Sequence, residues 1–165
     1  MTNDYGNLEL HKVLLSAMKD IDKICRENGL KYFLYAGTLL GAVNYKGFIP
    51  WDDDVDISLL PNDFRILQEL IQRDYSDKYF METFDNTPKH FSKLNKLRIK
   101  NTSILYQSGD RENVFIDISI LHNVPDNRFL QKRQRFALEV IDKILSVKSG
   151  AIIPTSILAK LILQP

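Results

Sequence analysis

The chain has a single cysteine, Cys25, so it forms no internal disulfide and fits a reducing compartment. Neither sign of charge is in excess: 22 Lys and Arg stand against 21 Asp and Glu, for a formal net charge of +1. That balance argues against nucleic acid as a partner, because a protein that tracks a phosphate backbone carries a basic surplus. No apolar run approaches the roughly 18 residues of a membrane span. The N-terminus, MTNDYGNLEL, lacks the basic and apolar regions of a secretory signal. The expected location is cytoplasmic. Internal repeats and low-complexity segments are also missing. What remains is an ordinary globular composition, 44% apolar and 26% charged over 165 residues, long enough for one domain with a real core.

Hydrophobic periodicity places the elements. Leu10, Val13, Leu14, Ala17, Met18, Ile21, Ile24 and Cys25 recur at three and four, which predicts a helix over about Asn7 to Asn28, stopped by Gly29. His11 lies beside that stripe and reads as a surface or boundary residue. Lys31 to Tyr35 reads as a short strand. Gly37-Thr38 then starts a helix to about Tyr45, with Leu39, Leu40, Ala42 and Val43 expected inward. Pro61-Asn62-Asp63 opens another helix to about Arg73. Further strands are expected near Lys78 to Thr83, over Ser92 to Lys100 and over Asn113 to Leu121. Asn101 to Tyr106 extends or hairpins from the second of these, and His90 reads as a loop residue. A long helix follows from Asp126 to Lys148, with Phe129, Phe136, Leu138, Val140 and Ile141 among its core candidates. The apolar segment Ile152 to Leu163 would pack on the body, on a partner or on a membrane surface. The fold class expected is α/β (α+β), a mixed sheet of about five strands flanked by helices.

One stretch stands apart: Trp51-Asp52-Asp53-Asp54-Val55-Asp56-Ile57. Four carboxylates in five positions repel one another, and burial raises the cost. A divalent cation with oxygen ligands, Mg²⁺ or Mn²⁺, relieves both. If a strand begins near Asp52, then Asp54 and Asp56 share one face and make the best pair for one ion. Asp53 then points to the other side, towards backbone donors. A lone aspartate, Asp117, sits in the strand Asn113 to Leu121 between Ile116 and Ile118. It is costly unless paired, and a third metal ligand accounts for it better than a structural ion pair. Upstream, the glycine and hydroxyl residue at a helix start, Gly37-Thr38, gather backbone N–H groups and a helix dipole that suit a phosphate.

A calcium loop starting at Asp52 fails, because its sixth residue is Ile57 rather than glycine and Pro61 interrupts it. Two other readings stay open. A glycosyltransferase with a D-x-D metal site leaves Gly37-Thr38 and Asp117 unexplained. An interaction domain on the same fold would have lost catalysis.

The string GTLLGAVNYKGFIPWDDDVDI, Gly37 to Ile57, resembles the signature of the LicD family, phosphocholine-transferase-like proteins related to fukutin and fukutin-related protein. The similarity runs upstream through the first helix and downstream through KLRIKNT (Lys96 to Thr102) and VFIDI (Val114 to Ile118), to about Asp126. It implies a nucleotidyltransferase-like core over residues 1–125 and a C-terminal helical segment over 126–165. It also implies transfer of a phospho-alcohol such as phosphocholine from a CDP-alcohol donor to a hydroxyl of a glycan acceptor, releasing CMP. The acceptor would be lipopolysaccharide, teichoic acid or capsule, met at the inner face of the membrane.

By position, Asp54 and Asp56 would be metal ligands, and Asp117 the third carboxylate, as ligand or base. Gly37 and Thr38 would hold donor phosphate, with Lys46 and Arg98 neutralising its charge. The chain departs from the family pattern at Asn44, Ile120 and His122. Family members also continue past this length into a segment with a tyrosine-glycine-aspartate motif. The alternative expectation is therefore a truncated, catalytically weak domain that binds or regulates.

Overall fold

The computed structural model describes residues 5–87, 94–105, 109 and 111–148. The chain divides into two compact units. One comprises Met1–Glu82 with Leu94–Leu121, the other Thr83–Lys93 with His122–Pro165.

The first unit opens with α1 (Leu8–Glu27), whose apolar stripe buries Leu14, Ala17, Ile21, Ile24 and Cys25. Gly29 follows at φ +66°, a left-handed conformation that glycine adopts without steric cost and that ends the helix. Next come β1 (Tyr32–Leu34), α2 (Ala36–Asn44), β2 (Asp56–Leu59) and α3 (Pro61–Asp74), with Pro61 in the first turn of α3. Strands β3 (Tyr79–Glu82), β4 (Asn95–Ile99), β5 (Ile104–Leu105), β6 (Arg111–Glu112) and β7 (Phe115–Ile120) complete the unit.

The main sheet has five strands in the order β1-β2-β7-β4-β3. It is mixed, as expected from the sequence. The central pair β2–β7 runs parallel, and the flanking pairs run antiparallel. Strands β5 and β6 form a separate two-stranded ribbon, so Asn101 to Leu105, the described part of the segment expected to extend or hairpin from β4, does not extend it.

Alternation along the strands gives the sheet two unlike faces. Ile57, Leu59, Ile116, Ile118 and Leu97 are buried on one side, in a core shared with Leu14 and Ile21 of α1 and Leu67 and Ile71 of α3. Each such side chain contributes about 1.5–3 kcal/mol by leaving water. The register places Asp56 beside Asp117, Lys96 beside Asp117, and Glu82 beside Lys96 on the opposite face. The apolar face therefore holds the sheet together, and the polar face gathers Asp56, Asp117 and Lys96.

Two expectations need correction. Strand β2 begins at Asp56, not near Asp52, because residues 52–55 form no ladder. Helix α2 does not turn its leucines inward. Leu39, Leu40 and Val43 are about half exposed, and only Gly41 is buried. The reason is steric: a Cβ at Gly41 would meet the Gly47 carbonyl at 2.6 Å, so α2 packs by its glycine, against the following loop.

The second unit contains α4 (Arg128–Lys148), capped by the Asn127 side chain, which accepts from the Phe129 and Leu130 N–H groups. Phe129, Phe136, Leu138 and Ile141, expected in a core, are exposed on it. His90 and the segment Ile152 to Leu163 lie outside the described residues. Among the described residues, no helix is long and apolar enough to cross a membrane.

Candidate active site

The polar face of the sheet ends in a cluster of carboxylates. Asp56 opens β2, Asp117 lies beside it on β7, and Asp54 reaches in from the irregular stretch before β2. One carboxylate oxygen from each lies within 4.8 Å of the others. Asp52, Asp53 and Asp54 form a second group of the same compactness, with Asp53 exposed. Asp54 belongs to both. An all-oxygen set with this spacing is of the kind that accepts a hard divalent cation.

The electrostatics fit such a role. Burial, then the neighbouring charges of Asp56, Asp52 and Asp53, push the Asp54 carboxyl up to about 6. Burial, then the charges of Asp117 and Asp52, raise Asp56 as well. Two carboxylates that resist ionisation beside a third gain most from a cation.

The stretch before β2 is tied down from three sides. The Asp56 N–H donates to Thr38 Oγ1 at 2.8 Å, and the Tyr35 N–H donates to the Asp56 carbonyl at 3.1 Å. The Asp52 carboxylate lies against the first turn of α2, where a negative charge suits the helix dipole. A Cβ at Gly37 would stand 2.7 Å from Asp52 Oδ2, so a side chain there must displace the carboxylate. Ala36, at the junction of β1 and α2, is held at φ +43°, a strained conformation for a residue with a Cβ.

The third tie comes from α1. Asn7 Nδ2 donates to the Asp52 carbonyl at 3.1 Å, and His11 Nε2 lies 2.6 Å from the same oxygen. A carbonyl only accepts, so Nε2 carries the proton in this pair. The His11 ring is stacked on Phe48, with centroids 4.3 Å apart and planes 8° from parallel. The sequence marked His11 only as a boundary residue.

Two cavities meet at Asp54. The larger, about 240 Å³, has apolar walls from Leu15, Met18, Leu34, Phe48 and Val55, and a polar edge of Thr38, Lys46, Asp52 and Asp54. The smaller, about 180 Å³, is lined by Leu10, Asp53, Asp54, Ile104, Val114 and Phe115.

Of the residues singled out from the sequence, Asp54, Asp56 and Asp117 come together. Gly37 and Thr38 sit at the cluster's edge, where both contact its aspartates. Lys46 is exposed on the cavity edge, its ammonium donating to the Val43 carbonyl at 3.0 Å. Arg98 is engaged elsewhere, pairing through Nε with Glu82 and through Nη1 with Glu112 at 3.0 Å. The cation nearest the cluster by register is Lys96, opposite Asp117, with its ammonium 3.5 Å from the centre of the Phe115 ring. Sequence reasoning named its strand as basic but selected Arg98 from it.

The sequence model of the family described as LicD/FKTN/FKRP, nucleotidyltransferase domain, matches residues 29–144. The chain is 29% identical over 119 residues to the lipopolysaccharide cholinephosphotransferase LicD of Haemophilus influenzae, covering 72% of this chain and 45% of that protein. It is 33% identical over 113 residues to an uncharacterized protein of Rickettsia typhi, covering 68% of this chain and 30% of that one. With an uncharacterized protein of Rickettsia prowazekii it shares 43% identity over 58 residues, 35% of this chain and 22% of that protein. The chain spans less than half the length of these relatives. Asp54, Asp56 and Asp117 fall inside the matched region, and Asn7 and His11 fall outside it.

Proposed function

This chain belongs to the LicD family, and on that premise we propose that it is a divalent-metal-dependent transferase. It moves a phospho-alcohol such as phosphocholine from a CDP-linked donor to a hydroxyl of a cell-surface glycan. The observation that carries the reading is the convergence of Asp54, Asp56 and Asp117, with oxygens within 4.8 Å of one another.

In the reaction, the acceptor oxygen bonds to the phosphorus that bears the alcohol. The bond from that phosphorus to the bridging oxygen breaks, CMP leaves with the electron pair, and the proton of the acceptor hydroxyl passes to a carboxylate of the cluster and on to solvent. Mg²⁺ or Mn²⁺ held by the three carboxylates would neutralise donor phosphate charge and polarise the phosphorus. The residues of the chain do the rest by position. Lys46 and Lys96 supply positive charge near the phosphates. Gly37 and Thr38 border the donor phosphate while fixing Asp52 and Asp56. The larger cavity offers apolar walls to the methyl groups of a methylated ammonium, with Asp52 and Asp54 for its charge and Lys46 at the edge for the phosphate. The smaller one leaves the other side of Asp54 to the acceptor hydroxyl.

Isothermal titration of CDP-choline and CMP, with and without Mn²⁺, tests the reading. Binding that needs the ion and disappears in Asp117→Asn supports it. A folded protein that binds neither nucleotide under any divalent ion would contradict it.

A further inference from the structure

Trp51 is the chain's one tryptophan, and it is 57% exposed. A ring this large is usually mostly buried, so open exposure beside a candidate site needs a reason. Nor is the ring loosely held. Tyr5 meets it nearly edge-on, with centroids 5.7 Å apart and planes at 74°, and Tyr45 does the same at 5.8 Å and 85°. The three residues come from separate segments: ahead of α1, just after α2, and directly before Asp52. Two near-perpendicular rings thus brace the indole and leave more than half of it open to solvent. Bracing of this kind settles side-chain entropy before any ligand arrives. The indole also shares an anchor with the acidic cluster, because the adjoining Asp52 carbonyl is held by Asn7 and His11.

We propose that Trp51, braced by Tyr5 and Tyr45, is a stacking platform for a pyranose ring of the acceptor glycan. This rests on the reading of the chain as a glycan-directed transferase. A pyranose carries C–H groups on its ring face and hydroxyls around its rim. The open indole offers an electron-rich apolar surface for the C–H face. The exposed Asp53 carboxylate, two residues on, accepts from rim hydroxyls.

Charge separates this occupant from a lipid surface, the other common partner of exposed aromatics. Asp52, Asp53 and Asp54 place carboxylate oxygens within 4.8 Å of one another directly after Trp51, and an anionic leaflet would be repelled there. A neutral sugar is not. Three peptide units link Trp51 to Asp54, a span of at most about 11 Å, so a glycan resting on the indole can present a hydroxyl to the cluster.

A single tryptophan makes the test direct, because intrinsic indole fluorescence reports this ring alone. The native chain is titrated with tetrasaccharides of glucose, galactose, N-acetylglucosamine and N-acetylgalactosamine, and separately with phosphatidylglycerol vesicles. A saturable change with at least one sugar, and none with vesicles, is expected. Calorimetry with the responding sugar should then show binding weakened about ten-fold in Trp51→Ala, with a smaller loss in Tyr45→Ala. Circular dichroism of both variants checks that they fold. A response to vesicles alone, or to no sugar of the panel, overturns the platform. Undiminished sugar binding by folded Trp51→Ala does so too. Metal-dependent binding of CDP-choline, measured on the same preparation, keeps the two claims apart. If it persists while sugars fail, the transferase reading stands and the platform falls.

Discussion

Replacing Asp54 with asparagine is expected to stabilise the protein without divalent ions and to remove the stabilisation that such ions give. In the metal-free protein, burial and the charges of Asp56, Asp52 and Asp53 raise the Asp54 carboxyl from 3.8 to about 6. The folded state therefore holds a proton that the unfolded state releases at lower pH. The stability tied to this group is complete below about pH 3.8 and is lost as pH rises through about 6. Taken in full the difference is worth ~3 kcal/mol. Asp54 is only partly buried, and solvent screening reduces this to about 1–2 kcal/mol. In a domain of this size that is roughly 2–8 °C in Tm.

The assay is a melt of both proteins in chelator. At neutral pH Asp54→Asn should melt higher by that amount, and near pH 4 the two should converge. With Mn²⁺ at about a hundred times its dissociation constant the native chain gains ~2.7 kcal/mol, and the variant gains little. The order of melting then reverses. The contrary outcome is a variant that melts lower than the native chain in chelator at both pH values. It would show that the Asp54 carboxylate holds the fold together instead of waiting for a cation.

His11→Ala should weaken Mn²⁺ binding about three- to ten-fold, since it removes one neutral hydrogen bond to the Asp52 carbonyl, while His11→Gln restores part of it; calorimetry reads both. Gly37→Ala should lower ion affinity without much loss of Tm, because its Cβ displaces the Asp52 carboxylate from the first turn of α2; paired melting and ion titration separate these effects. Arg98→Ala should cost about 1.5–3 kcal/mol in chemical denaturation, because it removes the charge-assisted bonds to Glu82, whose side chain is 12% exposed, and to Glu112. Arg98→Met with Glu82→Leu should recover most of that loss.

Much of the fold was legible because its elements carry strong periodicity. The stripe of α1, Pro61 at the start of α3 and the Phe/Ile run of β7 each determine an element locally. The mixed sheet follows from these elements together with the family resemblance. Asp54, Asp56 and Asp117 were legible for a different reason: carboxylates among isoleucines and valines are costly enough to demand an explanation.

Tertiary context decided the remainder. The leucines of α2 look like core by composition, yet Gly41 forces the close approach that sets which face packs. Arg98 and Lys96 share one basic strand face, and although the register puts Glu82 opposite Lys96, it is Arg98 whose guanidinium pairs with Glu82 and Glu112, which no local pattern shows. His11 carries no local sign of its partner, because the Asp52 carbonyl is 41 residues away in sequence.

The most direct test of the central claim is a crystal grown with Mn²⁺ and CMP, with the ion located by its anomalous scattering. An anomalous peak bonded to Asp54, Asp56 and Asp117 is expected, with CMP phosphate oxygen completing its shell. A peak held by Asp52 and Asp53 instead, or nucleotide bound with no ion at the three carboxylates, would contradict that claim.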